Sequence, residues 1–247
     1  MKNRVRLAAA TRYDLPDFWR HSLLGQSLLA MSESLRPSTL MIRSENVGSN
    51  VEGLSTFYNR ALDACSDDEL LVLVHDDVYL HDGFFVHRVE EALGLGDVAG
   101  VAGSSGGEPD EPSWALSFDA ELEPLGWQTV GQRSGAVSHL DPRRSELARL
   151  TAPPVEISEY GPFEMYCNRL DGVLLMLHVR NVRQTGVRFD ERFAFHLYDI
   201  DFCRQADMAG LDLITHPVLI THASPGNFGT PAWKDAARLY RQKWSAS

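Results

Sequence analysis

Cysteine is scarce in this chain: 247 residues hold three, Cys65, Cys167 and Cys203, an odd number with no CxxC spacing. That excludes a disulfide framework and a zinc ribbon as first expectations and points to reduced thiols in a cytosolic chain. No stretch approaches the roughly 20 apolar residues that a bilayer-spanning helix needs. The opening MKNRVRLAAATRYDLPDF is charged at once and its apolar run is short, unlike a signal peptide or a membrane anchor. Positive charge is also short. With 23 Lys and Arg against 34 Asp and Glu, the formal net charge is −11, which disfavours non-specific attraction to nucleic acid or anionic lipid. A local basic patch could still hold phosphate. Repeats and low-complexity tracts are missing too, so solenoids and arrays are not expected.

What remains is an ordinary globular composition, 44% hydrophobic and 23% charged, in a chain long enough for a large core. VRLAAAT reads as a short buried strand and Asp17–Met31 as a helix, with leucines at 23, 24, 28 and 29 on one face. A second strand over Ser38–Ile42, a helix over Leu54–Cys65 and a strand over Leu70–Val74 follow. Strand, helix, strand, helix, strand is the pattern of a parallel α/β sheet. Val86–Leu95 reads as a helix and Val98–Ala102 as a further buried strand. From Gly103 to about Pro154 the texture turns to Gly, Ser, Pro and charge, yet Trp114, Phe118 and Trp127 there need something to pack on. This middle stretch is expected to be an irregular insertion on one side of a single domain rather than a linker. Strands over Val173–Leu177, Leu211–Thr215 and Val218–Thr221 and helices over Tyr198–Met208 and Pro231–Trp244 complete the expectation.

The chemistry-bearing residues gather where elements end. Leu70–Val74 runs straight into His75, Asp76 and Asp77, and ligands in open α/β sheets bind outside the carboxyl ends of strands. A carboxylate there can hold a divalent cation that bridges a diphosphate, or it can cap the next turn. Asp199 and Asp201 open the late helix, where first-turn carboxylates often only cap, although a carboxylate facing a pocket also suits a general base. His222 follows a strand. Like His178 and His196, it could be a satisfied structural histidine or a ligand. Asp171-Gly172 could be a plain turn or a close approach of backbone to ligand. Aromatics at 114, 127, 195, 198 and 233 could stack on sugar rings or belong to the core, and Arg188, Arg192 and Lys234 could meet phosphate or water.

The order of these segments resembles the GT-A fold glycosyltransferases, in particular the family 2-like group of short bacterial enzymes. The likeness runs through NVGSNVEGLSTFYNRALDAC, LLVLVHDDVYL, VAGVAGSSG, LDGVLLMLHVR, RFDERFAFHLYDIDFCRQADMAGL and THASPGN, and is least over 108–155. It implies an α/β, Rossmann-like fold: a mostly parallel central sheet with helices on both faces in one domain over 1–247, with 108–155 on the acceptor side. HDDV stands in the place of the family's DxD motif, so Asp77 would face a metal, Mn²⁺ or Mg²⁺, and Asp76 the donor's ribose or the metal. Asp199 falls at the catalytic base and His222 at a late histidine that completes the metal site in some relatives. Ser44, Glu45 and Asn46 would hold nucleobase and ribose, and Asp171 and Gly172 would floor the donor-sugar and acceptor pocket. His75, His196, Tyr198, Asp201 and Trp114 would line the acceptor side or support these groups. Two positions depart from the family: His75 replaces the first acid of DxD, and Tyr198 stands where many relatives carry Glu.

The implied activity is metal-dependent, inverting transfer from a nucleotide-diphosphate sugar, UDP-linked by family habit, to a hydroxyl of a glycan, lipid-linked or small-molecule acceptor. The enzyme would be cytoplasmic and could work peripherally at the inner face of the membrane, with no nucleic-acid partner. Two other readings stay open at this point. One is a non-catalytic nucleotide-sugar or glycan-binding protein of the same fold, the other a metal-dependent nucleotidyltransferase or hydrolase.

Overall fold

The computed structural model describes residues 4–129, 131–140, 155–224, 226 and 228–245. The first half comprises β1 (Arg4–Ala10), α1 (Leu15–His21), α2 (Leu23–Ala30), β2 (Thr39–Arg43), α3 (Leu54–Ala64), β3 (Glu69–Val74), β4 (Val78–Leu80), α4 (Phe85–Leu95), β5 (Val98–Gly100) and β6 (Ala102–Ser104). The second half adds β7 (Leu116–Phe118), β8 (Pro124–Trp127), β9 (Arg133–Leu140), β10 (Val155–Gly161), β11 (Arg169–Leu170), β12 (Leu174–His178), α5 (Val179–Thr185), α6 (Tyr198–Met208), β13 (Leu213–Thr215), β14 (Ile220–His222) and α7 (Pro231–Trp244).

The main sheet has the order β13-β5-β12-β3-β1-β2. β3 lies at its centre, and all six of its residues are buried because strands flank it on both edges and helices cover it. That is why its sequence reads as an unbroken apolar run rather than an alternation. β1 runs parallel to β2 and β3, and β13 parallel to β5, while β12 is antiparallel to both β3 and β5. A second sheet, β11-β6-β9-β14-β4 with β10 beside β9, is antiparallel except where β14 meets β9. The architecture is therefore mixed α/β: in the main sheet five of the six strands run one way and β12 runs against them, as a mostly parallel central sheet requires, but the second sheet is largely antiparallel and makes the sheets taken together mixed. The antiparallel strand β12 matters most for function, since its first residues come to lie beside the last residues of β3.

Three local expectations also change. The helix expected over Asp17–Met31 breaks at Ser22, whose backbone is extended at φ −76° and ψ 144°. The Ser22 hydroxyl closes α1 by donating to the Phe18 carbonyl at 2.7 Å and opens α2 by accepting from the Gly25 amide at 2.9 Å. A Cβ at Gly25 would stand 2.2 Å from that carbonyl oxygen, so only glycine allows the tight junction. The VAGVA strand is two strands, β5 and β6, which part at Val101 and enter different sheets. Beyond β12 the chain turns directly into α5, which the sequence reading did not contain.

One hydrophobic core serves the described residues, and it includes Trp114, Ala115, Phe118 and Leu122 from the middle stretch. Phe118 packs on Trp233 of α7 with ring centroids 4.6 Å apart, so the insertion rests on the terminal helix. Trp127 instead stays 60% exposed. Residues 141–154 of the insertion lie outside the described residues. α7 starts at Pro231 with the Thr230 side chain accepting from the Trp233 amide, and buries Trp233, Ala237, Tyr240 and Trp244 at helical spacing. Among the described residues no helix is long and apolar enough to cross a membrane.

Candidate active site and cation centre

Three chain segments meet at the carboxyl end of β3. The His75 amide donates to the Val173 carbonyl at 3.2 Å, continuing the β3–β12 pairing past Leu174–Val74 and laying Asp171-Gly172 beside the His-Asp-Asp turn. β14 pairs with β4 in a register that sets His222 opposite Val78, and the Ala223 amide donates to the Asp77 carbonyl at 3.0 Å. The first turn of α6 brings Tyr198 and Asp199 from the other side. α2 braces the turn, its Leu24 amide donating to the Asp76 carbonyl at 3.1 Å.

His75, Asp77 and His222 each offer one donor atom, and these atoms lie within 4.8 Å of one another. His222 Nε2 is 3.4 Å and His75 Nδ1 4.0 Å from the same oxygen, Asp77 Oδ1. Both Asp77 Oδ1 and His222 Nε2 are buried with no hydrogen-bond partner. The two face each other as an ion pair without a well-formed hydrogen bond, and ligand atoms each about 2.1 Å from one ion stand at this kind of separation. Two imidazoles and a carboxylate thus fit a divalent cation. The charges agree with that fit. Burial opposes ionisation of Asp77, but His222 and His75 outweigh it and hold its carboxyl below the usual range. Burial likewise opposes a charge on His222, yet the neighbouring Asp77 carries its imidazole upward, while burial depresses His75.

Asp199 occupies the other side of Gly172. Its Oδ2 accepts from the Gly172 amide at 2.8 Å. Burial, then the charge of Asp171, push its carboxyl up to about 7 against the pull of the Ile200 and Gly172 amides. Asp171 is itself pinned: Oδ2 accepts from Trp114 Nε1 at 2.9 Å and Oδ1 from the Val173 amide at 2.9 Å. Gly172 has to be glycine, because a Cβ there would sit 2.4 Å from Tyr198 Oη and 2.8 Å from Asp199 Cβ. Tyr198 Oη in turn lies 2.8 Å from His75 Nε2 and donates to the Gly172 carbonyl at 3.0 Å. One residue, Gly172, therefore holds the base candidate through its amide and, through Tyr198, the cation cluster through its carbonyl.

The other candidates are distributed around this centre. Asp76 is half-buried, and burial raises its carboxyl although Thr11 and Arg12 oppose the shift. Ser44, Glu45 and Asn46 follow β2 against the loop after β1, with the Glu45 amide donating to the Tyr13 carbonyl and the Asn46 amide to that of Thr11. The Asn46 side chain is occupied at both ends by the Glu52 backbone. Glu45 (φ 52°) and Leu197 (φ 60°), the latter just before α6, are non-glycine residues in left-handed backbone, and such strain clusters at functional sites. His196 packs its ring edge-on against the exposed Phe195. Asp201 points elsewhere: fully buried, it accepts from Trp244 Nε1 at 3.0 Å, Lys243 Nζ at 2.9 Å and Gln205 Nε2 at 2.8 Å, and so anchors α7 to α6. Arg188, Arg192 and Lys234 are paired with Asp63, Asp190 and Glu123.

Three neighbours escaped the sequence reading. His139 of β9 lies opposite His222 in the β9–β14 register, with ring centroids 5.9 Å apart. It sits in a stretch that reads as loop, and only the pairing of distant strands reveals it. Thr11 and Arg12 follow the first strand as Asp76 follows the third. Their signal was the parallel order of β1 and β3, whose carboxyl ends must lie side by side.

Neither a family model nor a curated protein matches the chain by sequence. Among solved structures, GalNAc-T7 with UDP, GalNAc and Mn²⁺ superposes with a TM-score of 0.56 and 9% identity over 98% of this chain. The fold is GT-A-like. The chain spans about half of GalNAc-T7, 48% of its length. A197 from STIV superposes at a TM-score of 0.39 with 13% identity, covering 86% of this chain and 81% of that one, and nothing is drawn from it. At these identities the likeness concerns the fold alone.

Proposed function

We propose that the chain is a cation-dependent, inverting glycosyltransferase of the family 2-like kind, taking a UDP-linked sugar to a hydroxyl of a glycan, lipid-linked or small-molecule acceptor. The observation that carries this reading is the arrangement about Gly172. An Asp77–His222 ion pair whose two facing atoms are buried stands on one side and a carboxyl raised to about 7 on the other, both at the carboxyl end of β3. Support also comes from the fold, because the GalNAc-T7 structure of that fold holds UDP, GalNAc and Mn²⁺.

In this role Asp199 accepts the proton of the attacking hydroxyl. A base with a pKa near the working pH is half-available and still strong enough to take the proton, a balance typically worth about 10²–10⁴-fold. Asp77, His222 and His75 would hold Mn²⁺ or Mg²⁺, which when bound neutralises charge developing on a diphosphate leaving group. Asp76, Ser44, Glu45 and Asn46 would take the nucleoside end. Asp171 and Gly172 would floor the sugar pocket, with Trp114, His196 and the 108–155 stretch toward the acceptor. We further propose that the protein works in the cytoplasm, peripherally at the inner face of the membrane where its acceptor is lipid-linked.

Calorimetric titration of UDP-sugars with and without Mn²⁺, followed by UDP-release assays with an acceptor series, tests the reading. Binding that requires Mn²⁺ and UDP release that requires an acceptor are expected. Tight binding with no release under any acceptor would indicate a non-catalytic sugar-nucleotide receptor. Pyrophosphate, or free sugar without acceptor, would indicate a nucleotidyltransferase or hydrolase.

A further inference from the structure

We propose that Tyr198 is a positioning residue for the cation centre: its hydroxyl fixes the tautomer of His75 and makes Nδ1, facing Asp77, a third ligand atom. The inference rests on the cation site of the proposed function and not on sugar transfer.

A tyrosine hydroxyl has one proton. The Gly172 carbonyl, 3.0 Å from Tyr198 Oη, can only accept, so that proton is committed to it. The Tyr58 hydroxyl lies close enough to interact with that of Tyr198, and by donating its own proton to Tyr198 Oη it leaves the Tyr198 proton with the carbonyl. Toward His75, 2.8 Å away, Tyr198 Oη is then an acceptor, and the proton of that bond has to come from Nε2. A neutral imidazole protonated on Nε2 carries its lone pair on Nδ1. That nitrogen is the one 4.0 Å from Asp77 Oδ1, on the side where His222 Nε2 approaches the same oxygen to 3.4 Å.

The arrangement answers the departure at His75. A histidine replacing the first acid of a DxD pair is a competent ligand only if its free nitrogen points inward, and the replacement at Tyr198 supplies the group that ensures it. A Phe at 198 would leave His75 free to carry its proton on Nδ1, against the cation. Outer groups that orient a metal-bound histidine are generally worth about 10–100-fold in metal affinity. Tyr198 is also adjacent to Asp199 in α6, so the same helical turn would set both the cation ligand and the base.

Mn²⁺ titration, followed by calorimetry or by loss of the free-ion paramagnetic signal, tests the inference on the wild-type protein, Tyr198→Phe, His75→Ala and the double variant. Tyr198→Phe is expected to weaken Mn²⁺ binding by about tenfold. His75→Ala should weaken it at least as much, and adding Tyr198→Phe to His75→Ala should cost nothing further, because Tyr198 acts through His75. Unchanged affinity in Tyr198→Phe, or an equal loss in the His75→Ala background, overturns the inference while leaving the cation site standing. A wild-type protein that binds no Mn²⁺ overturns both. Long-range ¹H–¹⁵N spectra of the metal-free wild-type protein read the tautomer without any variant. A proton on Nε2 of His75 is expected, and one on Nδ1 refutes the inference.

Discussion

Replacing Asp199 by Asn should remove turnover and, at alkaline pH, make the protein more stable. The Asp199 carboxyl rises from an ordinary 3.8 to about 7 through burial and the charge of Asp171. Between those values the folded chain keeps a proton that the unfolded chain has released, so stability falls as pH rises through the window and is lowest above 7. A separation of about three pH units at 1.36 kcal/mol each withholds on the order of 4 kcal/mol at pH 8. Between 1 and 2 kcal/mol of that, roughly, is already lost at pH 5, which leaves about 3 kcal/mol to disappear between pH 5 and pH 8. Asn keeps an oxygen for the Gly172 amide and cannot ionise. Urea unfolding of both proteins at pH 5, 6.5 and 8 should show the variant gaining about 3 kcal/mol on the wild type across that range. Parallel stability curves would mean that Asp199 is not held neutral by its surroundings, and the physical case for a base poised near pH 7 would go with it. The turnover of the same variant should fall by about 10²–10⁴-fold.

Other consequences can be measured separately. In the wild type, kcat/KM should rise with pH through about 7, the value to which Asp199 is raised; a flat profile from pH 5.5 to 8.5 counts against that base. Gly172→Ala places a Cβ 2.4 Å from Tyr198 Oη, so thermal unfolding should show a loss of about 1–3 kcal/mol, and Mn²⁺ affinity and turnover should drop together. Asp201→Ala leaves the Trp244 indole N–H without its acceptor and the Lys243 ammonium with Asp190 alone, a loss of about 1–3 kcal/mol in denaturant melts, with Mn²⁺ affinity of the folded protein unchanged. Chelation by EDTA, or Asp77→Asn, should weaken UDP-sugar binding; calorimetry giving the wild-type affinity without metal would make the His-Asp-Asp turn structural.

Much of the scaffold was legible because burial writes a local pattern. Leu70–Val74 had to be a central strand, since nothing else buries five consecutive aliphatics in so short a run, and the Leu54, Phe57, Tyr58, Ala61 and Leu62 spacing fixed α3 by one buried face. Sheet direction was not legible in the same way. β12 has the composition that a parallel strand would have, because both kinds are buried on two faces at the sheet centre, and its antiparallel course shows only in the pairing. The breaks at Ser22 and Val101 were hidden for a related reason: apolar periodicity passes through them unchanged, and one hydroxyl or one residue's change of sheet decides the outcome.

In the candidate site, residue types suggested the candidates, and tertiary contacts show which of them come together. Asp199 and Asp201 look equivalent in YDIDFC, two acids in a first helical turn. Two residues on a helix differ by about 200°, so they cannot share a face, and the same turn that sends Asp199 to the Gly172 amide sends Asp201 to Lys243 and Trp244. Both carboxyls are raised by burial, but only Asp201 has an ammonium at hydrogen-bond distance to compensate it. A compensated buried acid is an anchor. An uncompensated one beside a second carboxylate, Asp171, costs stability, and that cost is what the proposed role of Asp199 as proton acceptor would explain. His75 belongs to the same argument. It is the last residue before the turn and also a ligand candidate, because its Nδ1 faces Asp77 while its Nε2 meets the Tyr198 hydroxyl.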